Sequence, residues 1–208
     1  MEFCKQQGKN AWNFYKTCLL KRHLWCMAAF VALCVVSAAV LGLFSQQAEA
    51  IVQSFVEEVQ QSGLLDEQGN ISTLRLLGNN LQATLMAALM GFLPFVFLPV
   101  CSLVLNAVVV GAAVALSGIA GMAAWQMVLL GLLPHGIFEI PAMMLGVSMG
   151  LYLCTVMNGN LRRRPGVPRI EAVLPHMTAV FLLGAVPLLV LAAVVETFVT
   201  PLLLGLVM

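Results

Sequence analysis

The feature that most constrains this chain is a long stretch that is almost free of charge. Residues 81–157 contain a single charged side chain, that of Glu139. A membrane-spanning helix needs about 20 consecutive apolar residues, so this stretch has room for several. In the whole chain 61% of residues are hydrophobic and 9% are charged, whereas about 25% are charged in an average soluble domain. The composition therefore predicts an all-α, polytopic helical membrane protein, and it excludes a soluble enzyme and a disordered chain.

Charge and motif content exclude further classes of protein. Ten basic and nine acidic residues leave a formal net charge of +1, so the chain lacks the basic face that binds nucleic acid. It contains no Walker loop, Rossmann fingerprint or nucleophile elbow. Its six cysteines form no CxxC pair. The spacing of His135 and Glu139 resembles half of the zinc motif HExxH, but the order and the residue types between them differ from that motif. We therefore expect no catalytic residues, no cofactor, no metal site and no nucleic-acid partner.

Charged residues divide the rest of the chain into segments of alternating sign. Residues 1–23 are basic and aromatic, which predicts a cytoplasmic amphipathic helix lying on the surface of the lipid bilayer. Residues 24–44 are uncharged and long enough to span once. The charged residues of segment 45–78 are mostly acidic. This segment is predicted to be an external loop that contains an amphipathic helix. The apolar stripe of that helix includes Phe55 and Val56, which form a candidate surface for docking partner proteins.

The basic segments predict the topology. Basic residues in short loops stay cytoplasmic, which puts residues 1–23 and 158–176 inside and residues 45–78 outside. Returning inside by residue 158 needs an odd number of crossings within 81–157, and three crossings fit its length. The prediction is a single membrane domain over 24–208 with five transmembrane helices, the N-terminus inside and the C-terminus outside. The later spans are expected near 80–100, 101–120 and 136–157 and from 177, with 121–134 as a re-entrant or interfacial piece.

The segment 133–141 holds the histidine and the single acid of the long apolar stretch. His135 and Glu139 are four residues apart, so they share one helical face and can touch. An ionisable residue inside a membrane costs at least about 2.5–3.5 kcal/mol, which makes the pair a candidate intramembrane polar site. A proton or ion site and a polar lock that joins helices are both open at this point. A candidate helix break is predicted from three residues that disturb a helix or let backbones approach: Pro134, Gly136 and Pro141.

Three further polar residues lie at or inside the boundaries of the predicted spans. Glu196 is isolated among apolar residues. Asn80 either caps the second span or belongs to the polar site, and Asn106 lies where polar side chains bond across helices. Gly146 and Gly150 form a GxxxG pair, which predicts close helix contact within the monomer rather than between monomers. A homo-oligomer is left open.

Residues 134–142, Pro-His-Gly-Ile-Phe-Glu-Ile-Pro-Ala, resemble the signature of the stage II sporulation protein M family, also called DUF95. The resemblance extends in order and spacing to Asn79-Asn80, to Asn106 and to the run 196–201, Glu-Thr-Phe-Val-Thr-Pro. It implies a five-span protein of the cytoplasmic (plasma) membrane. In endospore formers the named member acts in engulfment and anchors a complex with two cell-wall-degrading partners. The resemblance thus implies partners among membrane or cell-wall-associated proteins.

Two functions fit these observations. The first is a non-enzymatic scaffold, in which the acidic loop 45–78 and the external C-terminus hold partner proteins at the outer face. The alternative is a transporter or channel component, in which His135, Glu139 and Glu196 line a polar path. A path requires the three ionisable groups to converge near mid-membrane beside a cavity, whereas a scaffold requires only an ordered outer surface.

Overall fold

The computed structural model describes residues 2–61, 72–119 and 123–205, and every regular element within these ranges is helical. Helices are expected because Ala, Leu and Met favour them and because a helix in lipid satisfies its own backbone hydrogen bonds. The helices are α1 (Glu2–Phe14), α2 (Leu20–Leu41), α3 (Ser45–Gln61), α4 (Thr73–Leu89), α5 (Pro99–Ile119), α6 (Ala124–Gln126), α7 (Leu133–Leu161), α8 (Ile170–Val180), α9 (Val186–Val194) and α10 (Thr200–Leu204). Between some of them lie π-helical turns at Tyr15–Leu19, Met127–Leu132, Phe181–Ala185 and Val195–Val199.

Within the described ranges, four helical runs are long and apolar enough to cross a membrane. The π-helical turns continue the neighbouring α-helices rather than end them, so three of these runs include more than one of the labelled helices. The predicted total of five spans and the orientation of the termini stay predictions. The four runs are Gln6–Leu41, Pro99–Ile119, Ala124–Leu161 and Ile170–Leu203.

The first of these runs contains the segment that the sequence analysis assigned to the membrane surface. Helix α1, the turn Tyr15–Leu19 and α2 are continuous, so no break separates residues 1–23 from the first span. Helix α1 also packs against α8. The ring of Phe14 stacks on that of His176, with 5.4 Å between centroids. The prediction of a separate surface helix is therefore corrected to an N-terminal extension of the first span that packs on another helix.

Helix α4 begins earlier and ends earlier than the span predicted near 80–100. It starts at Thr73, ends at Leu89 and is followed by a 3₁₀ turn over Met90–Phe92. The chain then turns with positive φ angles of 70° at Phe95 and 50° at Phe97, and such conformations cannot continue a helix. The predicted helix is thus corrected to residues 73–92.

Helices α6 and α7 replace the re-entrant piece predicted over 121–134. From Ala124 the chain is helical without interruption to Leu161, through the π-helical turn Met127–Leu132. The helix needs about 1.5 Å per residue, so this run is considerably longer than the roughly 30 Å hydrocarbon core of a bilayer. The re-entrant alternative is wrong for residues 124–134, and the interfacial alternative stays a prediction. Residues 120–122 lie outside the described part of the chain.

The chain divides into two compact units. It passes from one to the other five times, and each passage falls within a helix. Unit 1 consists of Met1–Ala28, Asn80–Leu103 and Ile140–Leu189; unit 2 consists of Ala29–Asn79, Val104–Glu139 and Val190–Met208.

Inside unit 1, glycines let α4 and α7 approach to backbone contact. A Cβ atom placed on Gly146 would lie 2.5 Å from the carbonyl oxygen of Thr84. One placed on Gly150 would collide with the carbonyl oxygen of Ala87 and lie 2.6 Å from Cγ of Pro99. Small residues allow such close helix packing in membranes. The predicted contact of the GxxxG pair within the monomer is confirmed.

Inside unit 2, a glycine and a small apolar contact bring other helices together. A Cβ atom on Gly111 of α5 would lie 2.9 Å from the backbone nitrogen of Ala38 in α2. Leu76 of α4 packs on the buried Ala193 of α9. These contacts join α5 to α2 and α4 to α9 within unit 2.

Candidate functional site

His135 and Glu139 lie on one face of α7 and face each other. The Nε2 atom of His135 is 3.9 Å from the Oε2 atom of Glu139, and the two side chains are 14% and 19% exposed. Residues four apart in a helix are neighbours on its surface, so the sequence spacing alone predicted this pair. The prediction that the two side chains can touch is confirmed.

Glu196 joins this pair from another helix of unit 2. One ligand atom from each of His135, Glu139 and Glu196 lies within 4.8 Å of the other two. Glu196 sits in the π-helical turn Val195–Val199, and α10 directly after it packs against the π-helical turn Met127–Leu132. A π-helical turn accommodates an extra residue and changes the face on which the following side chains emerge, and such turns are frequent at functional sites. The structure thus brings three of the predicted polar residues together.

Thr200 is a member of this site that the sequence analysis did not identify. Its hydroxyl oxygen is 3.3 Å from Nδ1 of His135, and the hydroxyl donates to the carbonyl oxygen of Val195 at 3.4 Å. The roles in the contact with Nδ1 depend on the tautomer of His135. In the tautomer that donates Nδ1–H to the Thr200 hydroxyl, the unprotonated Nε2 faces Glu139. The sequence contains one signal that could have identified Thr200. It follows Glu196 by four residues, a spacing that puts two side chains on the same face of a helix.

The two asparagines do not share one environment. Asn80 belongs to unit 1, is buried and has no hydrogen-bond partner for Nδ2 within the described residues. The backbone carbonyl oxygen of Asn80 accepts a hydrogen bond from the hydroxyl of Thr84 at 2.7 Å. Asn106 belongs to unit 2, is half-buried and is engaged by a neighbouring group. Asn80 therefore lies in unit 1 and Asn106 in unit 2, and a role of either in the polar site stays a prediction.

The predicted helix break at Pro134, Gly136 and Pro141 is not present. Helix α7 runs through all three positions and carries Pro141 in its interior. Pro134 lies just after the π-helical turn Met127–Leu132, where the regular hydrogen-bond pattern of the helix is already interrupted. The irregular geometry lies one turn earlier, in the π-helical turn Met127–Leu132. The prediction is corrected to a continuous helix.

A second polar network lies in unit 1 and was missed from the sequence. The Nε2 atom of His23 is 3.0 Å from the carbonyl oxygen of Pro141, and its Nδ1 atom is 3.0 Å from the hydroxyl oxygen of Tyr15. Since a carbonyl oxygen only accepts, Nε2 donates to it, and the Tyr15 hydroxyl donates to Nδ1 of the neutral ring. The sequence signal was weak, because His23 looks like one more residue of a basic segment.

Phe55 and Val56 are exposed on α3, at 45% and 44%. Helix α3 also carries Glu49 and Glu57 and is not one of the apolar runs long enough to cross a membrane. The part of the acidic loop over residues 62–71 lies outside the described residues.

Long apolar helices with a polar cluster between them define the class as a helical membrane protein. The family model for Stage II sporulation protein M matches residues 24–201. The chain belongs to that family, which is not known as an enzyme family. No curated protein and no solved structure matches the chain.

Proposed function

We propose that the protein is a non-enzymatic scaffold of the cytoplasmic membrane that holds partner proteins at its outer face. Membership of the stage II sporulation protein M family supports this role, since the sequence resemblance implies anchoring of cell-wall-degrading partners. The observation that carries the proposal is the exposed apolar pair on α3, Phe55 and Val56. An amphipathic helix with an unpartnered apolar stripe suits docking of a protein groove or helix.

The charges of the extramembrane segments support five crossings, with the N-terminus inside and the C-terminus outside. Segments 1–23 and 158–176 are basic and the charged residues of segment 45–78 are mostly acidic, and basic residues in short loops stay cytoplasmic.

The scaffold is tested by co-purification of peptidoglycan hydrolase activity, measured on a zymogram, with the tagged full-length protein from its own host. Phe55→Asp and Val56→Asp should abolish this activity in the eluate, because a charge on the apolar stripe blocks docking. Gln53→Asp is the matched control, since it adds the same charge to an exposed polar position of α3. Membrane abundance of all variants should equal that of the wild type.

If Gln53→Asp reduced hydrolase recovery to the same degree, the added negative charge alone would explain the loss. That result would count against Phe55 and Val56 as the docking surface. Unchanged recovery in both Asp variants at 55 and 56 would remove α3 as the docking site. Absence of hydrolase activity from the wild-type eluate would contradict the proposed partners.

A second candidate function, a transporter or channel component, is favoured by the convergence of His135, Glu139 and Glu196 in unit 2. A polar path through a membrane needs such a cluster. Ion or proton flux into vesicles that contain the purified protein tests it. Flux that is present in the wild type and lost in Glu139→Gln would favour transport over the scaffold.

A further inference from the structure

We infer that His135, Glu139 and Glu196 bind a divalent transition-metal cation, with Zn²⁺ as the best fit. The three residues come from two helical runs of unit 2 that are distant in sequence, and one ligand atom of each lies within 4.8 Å of the others. The inference concerns what this cluster binds and is independent of the scaffold function.

The surroundings of His135 suit a metal ligand. The Thr200 hydroxyl oxygen is 3.3 Å from Nδ1 of His135, and the tautomer that donates Nδ1–H to it presents the lone pair of Nε2. Nε2 faces Oε2 of Glu139 at 3.9 Å, so a cation placed between them would bind both atoms. A metal-bound histidine characteristically has its other ring nitrogen held by such an outer hydrogen bond.

The distances suit an ion that draws the side chains together. Zinc binds histidine nitrogen and carboxylate oxygen at about 2.0–2.2 Å, so two ligand atoms on one ion lie at most about 4.4 Å apart by the same bond lengths. The separations of 3.9 Å and up to 4.8 Å need closing by about 1 Å for tetrahedral binding.

Charge and ligand type select the kind of cation. Two ionised carboxylates carry a formal charge of −2, which a divalent cation cancels, and cancellation matters most inside an apolar helix bundle. One imidazole with two carboxylates suits Zn²⁺, Mn²⁺ or Fe²⁺, whereas Mg²⁺ and Ca²⁺ prefer oxygen ligands alone. Three protein ligands also leave a position for water or for a further group.

Metal analysis of the purified full-length protein tests the inference. The protein is treated with EDTA, exposed to Zn²⁺ or Mn²⁺, separated from free ions and analysed by mass spectrometry for bound metal. We expect about one Zn²⁺ per chain in the wild type and at least a tenfold loss of affinity in Glu196→Gln, in line with removal of a metal ligand. Glu171→Gln is the matched control, because Glu171 is exposed in α8 of unit 1, and it should bind as the wild type does.

Thr200→Val provides a second variant that leaves all three ligands in place. Loss of the hydroxyl that orients His135 should weaken Zn²⁺ binding about 10–100-fold. Thr197→Val is its control, since the Thr197 hydroxyl donates to the carbonyl oxygen of Ala193 one turn earlier, and this variant should leave binding unchanged. If Glu196→Gln fails to fold, the thermal unfolding of the wild-type protein still tests the inference. Zn²⁺ at 100 times Kd should raise the Tm of the wild type by about 5–10 °C.

Two results would overturn the inference. One is a wild-type protein that retains no stoichiometric Zn²⁺ or Mn²⁺ and gains no thermal stability from either ion, which would leave a proton between His135 and Glu139. The other is unchanged Zn²⁺ binding in both Glu139→Gln and Glu196→Gln.

Discussion

The Nε2 atom of His23 lies 3.0 Å from the carbonyl oxygen of Pro141, 118 positions further along the chain. This hydrogen bond joins the first helical run to α7 inside unit 1. Tyr15 completes the network from the other side of the ring. Pro141 lacks the N–H that would bond the carbonyl group one turn earlier, so a histidine from another helix that binds the carbonyl of Pro141 adds a hydrogen bond to a region that has lost one.

Replacement of His23 by phenylalanine should destabilise the protein. The ring remains, but Tyr15 and the carbonyl of Pro141 both lose a buried partner, which costs about 1–3 kcal/mol per unsatisfied group. Thermal unfolding in detergent should show a Tm lower by about 2–10 °C. His176→Phe is the control, because His176 is stacked on Phe14 and phenylalanine keeps that contact. Equal Tm values for the two variants would contradict a role for the His23 hydrogen bonds.

Replacement of Gly146 by alanine should also lower the Tm, by a different mechanism. The new Cβ would lie 2.5 Å from the carbonyl oxygen of Thr84 and 2.7 Å from its Cγ2 atom, so α4 and α7 must separate. Overpacking of this kind costs about 1–3 kcal/mol. Gly118→Ala is the matched control, since a Cβ there meets nothing within 4 Å and alanine favours the helix by about 0.5–1 kcal/mol. A Gly146→Ala variant as stable as Gly118→Ala would show that the two backbones are not in contact.

Two substitutions at Glu139 should distinguish the effect of its charge from the effect of its size and polarity. Glu139→Gln keeps the size and the polar character of the side chain, so membrane abundance should equal that of the wild type. Glu139→Ala leaves His135 without its neighbour and should reduce abundance at least about twofold, in keeping with the cost of a buried unpaired polar group. Immunoblots of membranes, together with a complementation assay, measure abundance and function. Wild-type abundance and full function in both variants would leave Glu139 without a structural or functional role.

Cysteine labelling should report the topology. In a cysteine-free background, a cysteine at position 66 should react with an impermeant reagent from outside. A cysteine in place of Arg163, which is exposed in the loop after α7, should react only after permeabilisation. The physical reason is that arginines flanking a span stay cytoplasmic. External labelling at position 163 would contradict the five-span topology.

The sequence by itself determined the class of the protein and its local contacts. Long apolar runs with few charges specify membrane-crossing helices, because lipid offers the backbone no other hydrogen-bond partner. The spacing of His135 and Glu139 placed them on one helical face, and the family signature around them identified the family that residues 24–201 match. The GxxxG pair indicated where two backbones meet. Each of these signals depends on residues within a few turns of one another.

Only the tertiary structure decided which distant residues share a site. Glu196 and Thr200 reach His135 through a π-helical turn and through packing of α10 on another helix, and His23 reaches Pro141 in the same indirect way. The continuity of α7 through Pro141 was likewise not predictable from composition, because proline both breaks helices and is tolerated inside them when other groups satisfy the freed carbonyls. Local periodicity specifies the face of each helix. The partner of that face depends on how all the helices pack, which no local spacing encodes.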